Sequence, residues 1–230
     1  MDEPKVRTHL TGDAFYITLN RPERKNALDL EATLLLLEAL DKAETSEARA
    51  VILSGAGGCF CSGADLSEIS CRPDSPWSSQ EEALRKFGEA FEKVCSRIAL
   101  LDIPVIAALE GPSLGGGATL ALFSDFRIAA PTLRIGIPAS RLGITLSNTV
   151  VERIVAVAGQ QAAADFLLRS REYSAEEALR RRVVDELAES ADDLWARVNS
   201  LVKDISQGSR HSVSIHKKTI GRILSWYTNA

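Results

Sequence analysis

The sequence predicts a layered α/β fold. Apolar runs of strand length alternate with segments of helical spacing, capping residues stand at the starts of the helical segments, and glycine-rich turns follow two of the strands. Residues 6–19 read as a hairpin turning at Thr11-Gly12-Asp13, with apolar alternation through Phe15, Ile17 and Leu19. Asp29 caps a helix in which Leu30, Leu34, Leu37 and Leu40 recur at helical spacing, and the helix leads to a strand at residues 50–54. Residues 70–79, rich in Ser and Pro, form a loop. Ser79, with Glu82 three residues on, then starts a helix to about Leu100. Strand, glycine turn, helix and strand repeat over residues 104–129. Ser147 caps a helix ending at Gly159, and Ser174 with Glu177 begins another.

A chain of 230 residues, 45% hydrophobic, buries a full core; its length fits one large domain or one domain with a small appendage, and it reads as one main domain. The formal net charge is −4 and the densest basic runs, Arg180-Arg181-Arg182 and Lys217-Lys218, are short, so no nucleic-acid footprint is expected. No apolar stretch of about 18 residues and no secretory pattern stands out, which predicts a soluble, cytoplasmic protein with no membrane partner. Cys59, Cys61, Cys71 and Cys95 read as reduced thiols packed as small hydrophobes; His211 and His216 are distant in sequence, and no metal site is expected.

The chemistry concentrates in two glycine turns. Gly111-Pro112-Ser113-Leu114-Gly115-Gly116-Gly117 follows the apolar run 104–109 and opens a helix. Three glycines there leave no side chains in a ligand's way, and the first helical turn offers unpaired N–H groups and the positive end of its dipole. Ser62-Gly63-Ala64-Asp65-Leu66 follows the strand at 50–54 and supplies a second N–H. Two backbone donors from separate loops are what a thioester oxyanion needs.

With Asn20-Arg21-Pro22-Glu23-Arg24-Lys25-Asn26-Ala27-Leu28, Phe60-Cys61-Ser62-Gly63-Ala64-Asp65-Leu66 and Ser124-Asp125-Phe126-Arg127-Ile128-Ala129 in this order, the chain resembles the enoyl-CoA hydratase/isomerase, or crotonase, superfamily over roughly residues 12–188. The resemblance implies a spiral of ββα repeats with a helical C-terminal segment: a core at 1–188, a shortened helical region at 189–230, and assembly as a homotrimer or hexamer. It also implies an acyl-CoA or acyl carrier protein thioester as substrate, with coenzyme A entering only as part of that substrate and no separate cofactor. Matched motif by motif, the oxyanion donors fall at Ala64 and Gly116. Lys25, Asn26, Ala27, Ser62, Gly63, Asp65, Leu66, Gly115 and Ala139 fall at substrate- and CoA-contacting positions. Asp65 and Asp125 read primarily as carboxylates that fix turns.

The sequence departs from the hydratases where their two glutamates stand, with Thr119 three residues after the middle glycine and Ala139 in Gly136-Ile137-Pro138-Ala139. Hydration needs groups that activate water and deliver a proton. A third acidic position of relatives falls near Ser147. Glu68 is then the best acid candidate, and it also reads as a solvated first-turn residue. Thr119, Ser140, Ser147 and Asn148 are candidates to hold a substrate carboxylate or a water, or are caps and packed polar residues. Arg141 is a candidate partner for an anionic acyl group. His211 and His216 titrate in a useful range but read as surface residues, and Trp77 either lines the acyl pocket or anchors its loop. Residues 212–218 resemble the start of a late helix that carries a lysine near CoA phosphates in relatives, whereas the residues alone read Lys217 and Lys218 as a solvated helix face. The expectation is enolate chemistry, decarboxylation or isomerisation rather than hydration, with a non-catalytic acyl-CoA-binding or accessory subunit as the alternative.

Overall fold

In the computed structural model, residues 3–69 and 80–226 are described, without the side chains at 68, 69, 80 and 223–226. β1 (Val6–Thr11) and β2 (Ala14–Leu19) form the expected hairpin, with Val6 opposite Leu19 and Thr11 opposite Ala14. A short 3-10 turn (Pro22–Arg24) leads to α1 (Leu30–Glu44), and β3 (Ala50–Gly55) lies parallel to β2. After α2 (Leu66–Ile69) and the long α3 (Gln80–Leu100), β4 (Val105–Leu109) joins β3 in parallel. β5 (Pro112–Leu114) runs directly into α4 (Gly116–Phe123), and β6 (Phe126–Ala129) returns beside β4. Next come β7 (Arg134–Gly136), a 3-10 turn (Ala139–Leu142), α5 (Asn148–Leu167), β8 (Glu172–Ser174) and α6 (Ala175–Arg180). β9 (Glu186–Leu187), α7 (Ala191–Gln207) and α8 (Arg210–Trp226) follow.

Among the described residues the strands form one sheet in the order β1-β2-β3-β4-β6-β9 and a smaller one in the order β5-β7-β8. Alternation along β3 and β4 divides the core. Val51, Leu53, Val105, Ala107 and Leu109 face the helices α1, α3 and α4 and the small sheet, while Ala50, Ile52, Ile106 and Ala108 face Leu194, Val198 and Val202 of α7. A parallel sheet covered on both faces reads as continuous apolar runs, which is why residues 50–54 and 104–109 show no polar alternation.

Several local expectations are met and several are corrected. Asp29 caps α1, its Oδ1 accepting from the Ala32 N–H at 2.7 Å. The leucine stripe is only partly the buried face: Leu40 is buried and Leu37 packs against the core. Ala32, Thr33, Leu36, Ala39, Leu40 and Ala43 face inward, and Leu34 is 46% exposed. Small residues let α1 lie close to the sheet and to α3, so Ala32, Ala39 and Ala43 mark the contact together with Leu36 and Leu40. Ser147 occupies the N-cap position of α5 but makes no capping bond, and helical structure resumes beyond the break at Gly159 (φ 81°, ψ 161°) as far as Leu167. Ser174 does cap α6, accepting from the Glu177 N–H at 3.3 Å. Cys59, Cys61 and Cys95 are buried free thiols. The loop at 70–79, with Cys71, Trp77 and the Ser79 cap, lies outside the described residues.

Lys217 is the largest correction. It is 6% exposed, and its Nζ donates to the carbonyls of Ile98 at 3.0 Å and Ile103 at 2.9 Å. It also meets the Asp125 carboxylate at 2.7 Å. The last carbonyls of α3 have no partners within that helix, and a cation is favourable there, so the ammonium is drawn inward rather than left on a solvated face. Burial lowers its pKa, against the opposing pull of Asp125. Asp125 in turn accepts from the Val105 N–H at 2.7 Å, which fixes the start of β4.

Lys217→Met should therefore cost about 3 kcal/mol, the usual order for leaving a buried ionic partner unpaired. Lys218 pairs with Asp102 where both side chains are more than 40% exposed, so Lys218→Met should stay within about 0.5 kcal/mol. Urea unfolding of the two variants checks the contrast; equal losses would refute the assignment.

Candidate active site

The site begins with a backbone crossing. A Cβ built on Gly117 would lie 2.2 Å from the Cys61 carbonyl oxygen and 2.8 Å from the Cys61 Cβ. One built on Gly63, whose φ is +99°, would lie 2.9 Å from the Leu114 oxygen and 3.2 Å from the Gly116 nitrogen. The two glycine turns thus touch main chain to main chain, which a side chain at Gly63 or Gly117 would prevent.

Hydrogen bonds stitch the crossing together. Cys61 N–H donates to Pro112 O at 3.0 Å and Leu114 N–H to Cys61 O at 2.9 Å. Leu28 N–H donates to Gly63 O and Asp65 N–H to Leu28 O, both at 2.8 Å, while Ser62 N–H reaches Lys25 O at 3.0 Å. Gly115 N–H is taken by Gly136 O at 2.9 Å. These bonds use the donors on either side and leave the Ala64 and Gly116 N–H groups without an acceptor among the described residues. Both residues are half-buried, and Gly116 is the first residue of α4, at the positive end of its dipole.

The segment at residues 21–28 is held from below. Buried Asn26, in the left-handed region at φ 54°, donates to Ala56 O at 2.9 Å and Cys59 O at 2.6 Å and accepts from Arg21 N–H at 2.8 Å. Ala27 is also buried, so at these two positions only main chain is available to a ligand; Lys25 is exposed. Arg21 bridges Asp29 and Asp65, each at 3.1 Å. Burial alone would raise the Asp65 pKa, but bonds from Ser67 and Arg21 outweigh it and hold the carboxyl below its ordinary range.

The other expected site residues lie as follows. Thr119 is buried with its hydroxyl donating to the Gly115 carbonyl at 3.1 Å, so the hydroxyl is engaged within α4. Ala139 packs half-buried against the main core. The Ser147 Oγ is buried without a hydrogen-bond partner among the described residues. Ser140 bonds Ser170 at 2.6 Å. Leu66, Arg141, Asn148, His211 and His216 are exposed, the two histidines on α8. Glu68 falls in α2, and its side chain lies outside the described residues.

Two residues escape the sequence reading. Arg153 of α5 donates to Leu122 O at 2.8 Å and Phe123 O at 3.2 Å, and Arg127 donates to Ser124 O at 2.8 Å, so two guanidiniums close the C-terminal end of α4. Burial lowers the Arg153 pKa to about 10, with Asp125 opposing. Phe91 of α3 lies against Gly116, with ring atoms 3.3 and 3.4 Å from where a Cβ would stand. Its one signal in the sequence is the Phe87–Phe91 spacing, which equally describes a core-facing helix stripe.

The sequence profile of the enoyl-CoA hydratase/isomerase family matches residues 11–228. The short-chain-enoyl-CoA hydratase of Clostridium acetobutylicum is 34% identical over 213 residues, 92% of this chain and 78% of that protein. The 1,2-epoxyphenylacetyl-CoA isomerase of Escherichia coli is 33% identical over 196 residues, 82% of this chain and 74% of that one. The crystal structure of an enoyl-CoA hydratase/carnithine racemase from Magnetospirillum magneticum superposes with a TM-score of 0.87 at 30% identity, covering 96% of this chain and 82% of the other.

Gly117→Ala should destabilise the protein by about 3 kcal/mol or more, because the clash is with main chain, whereas Gly116→Ala should cost about 1 kcal/mol or less, since a ring edge can yield. Thermal unfolding of both variants tests this order. Asp65 contributes stability that is fully present above its unfolded pKa of about 3.9 and is lost as pH falls through the lower folded value. Wild type should therefore lose stability below about pH 4 more steeply than Asp65→Asn, as read by urea midpoints between neutral and acid pH; parallel curves would contradict the Arg21–Asp65 account.

Proposed function

The chain belongs to the enoyl-CoA hydratase/isomerase family, and from that membership we propose that it binds an acyl-CoA and stabilises the thioester enolate between the N–H groups of Ala64 and Gly116. The observation that carries this reading is the pair of unpartnered donors at the contact of the two glycine turns. Donors fixed by the surrounding main chain need no reorganisation as charge develops on the thioester oxygen, and removing one such donor typically costs about 3 kcal/mol of barrier. The exposed Lys25 and the main chain of residues 25–27 and 62–66 form the side on which the carrier would lie.

Decarboxylation of a malonyl-type thioester suits this site best. The electron pair of the bond from C2 to the carboxylate flows into the C1–C2 bond as CO2 leaves, giving the enolate directly, and a solvent proton then adds to C2. No general base is required, which agrees with Thr119 being engaged within α4 and with Ala139 carrying no titratable group. Double-bond isomerisation needs a group that shuttles a proton, a role open to Glu68. Hydration needs two such groups. An acyl carrier protein thioester would present the same carbonyl to the same donors.

Isothermal titration with CoA, acetyl-CoA, crotonyl-CoA and malonyl-CoA, with mass spectrometry of each mixture, tests the proposal. Binding of thioesters with CO2 release from malonyl-CoA is expected. Added water on crotonyl-CoA would replace decarboxylation with hydration, and thioester binding without conversion would favour an accessory role. Gly116→Pro removes the donor at a helix position that tolerates proline. It should lower turnover at least about 100-fold while CoA affinity changes less than about threefold, and a variant as active as wild type would sink the oxyanion assignment.

A further inference from the structure

The direction in which a side chain on Gly116 would point is closed by two groups, the Phe91 ring edge at 3.3 Å and the Gly63 α-carbon at 3.6 Å. Carbon atoms in van der Waals contact lie about 3.5–4.0 Å apart, so a methyl group at that position stands a few tenths of an ångström inside contact with the ring. The ring therefore stands on the same side of Gly116 as Gly63, the residue that immediately precedes Ala64. Phe87 supports it from one helical turn away, with ring centroids 5.8 Å apart and planes 12° from parallel. Both rings are half-buried against the main core. The opposite side of α3 carries the exposed pair Arg85–Glu89 and the pair Lys86–Glu82, which turns the phenylalanine stripe inward.

We infer that Phe91 sets the width of the acyl slot at C2 and restricts the substrate to straight-chain acyl thioesters with no branch at that carbon. The inference rests on the thioester reading above. A thioester oxygen held about 2.7–3.1 Å from the Gly116 nitrogen places C2 two bonds further on, at about 1.2 and 1.5 Å per bond. Gly116 Cα is itself bonded to that nitrogen at about 1.46 Å, so C2 lies in the shell of atoms that the Phe91 edge bounds. A hydrogen on C2 passes this edge, and a methyl group meets it. Phe91 is thus a specificity-determining residue that takes no part in proton transfer.

The experiment measures calorimetric affinities of wild type, Phe91→Ala and Phe91→Leu for CoA, crotonyl-CoA and its 2-methyl derivative, which differ only in the C2 branch. Wild type should prefer crotonyl-CoA at least tenfold. Phe91→Ala should reduce this ratio below threefold, mainly by gaining affinity for the branched thioester, with CoA affinity unchanged and Phe91→Leu intermediate. Equal binding of the two thioesters by wild type would overturn the inference, as would a ratio retained in either variant that still binds CoA. If Phe91→Ala does not fold, wild type and Phe91→Leu decide. Failure of wild type to bind CoA or any thioester would instead remove the thioester reading on which the inference stands.

Discussion

The approach of Gly117 to the Cys61 carbonyl is the contact on which the rest of the site depends. An alanine Cβ there would stand 2.2 Å from that oxygen, far inside any van der Waals limit, so the start of α4 reaches the segment at residues 59–65 only because position 117 has no side chain. The parallel bridge between Cys61 and Ser113 then forms, and with it the register that sets Gly63 beside Gly115 and Gly116. Ala64 and Gly116 come to lie next to one another although more than fifty residues separate them in the chain.

The far end of α4 is fixed as firmly as its start. Arg153 and Arg127 take the carbonyls of residues 122–124, which would otherwise be buried acceptors without partners. Asp125 ties the same turn to Val105 and to Lys217. α8 is thereby joined to the segment that follows α4, through a lysine whose burial is tolerated because two carbonyls and a carboxylate surround it. A helix of eight residues has little stability of its own; here both ends are set by tertiary contacts, and the direction of the Gly116 N–H follows from them.

This arrangement uses main chain where many enzymes use side chains. Asn26, Ala27 and Thr119 are buried, with Asn26 and Thr119 hydrogen-bonded within the fold. Backbone donors are set by the main-chain scaffold and do not depend on the identity of the side chains around them. Phe91 belongs to the other class, a side chain that shapes the space beside the donors.

The sequence by itself determined the α/β alternation, the hairpin, the Asp29 and Ser174 caps and the two glycine turns, because each depends on residues within a few positions of one another and on the conformational freedom of glycine. It also marked Gly63, Ala64, Gly115 and Gly116, through motifs whose order is itself linear information. Leucines at helical spacing did not reveal that Leu34 is exposed or that Ala32, Ala39 and Ala43 join Leu36 and Leu40 on the buried face of α1. The sequence gave no sign that Lys217 turns inward, that Arg153 closes α4 or that Phe91 caps Gly116. Those three outcomes join residues 25 to 119 positions apart, and only the packed tertiary structure decides which unpaired carbonyl a long cation reaches and which ring edge lies beside a bare α-carbon.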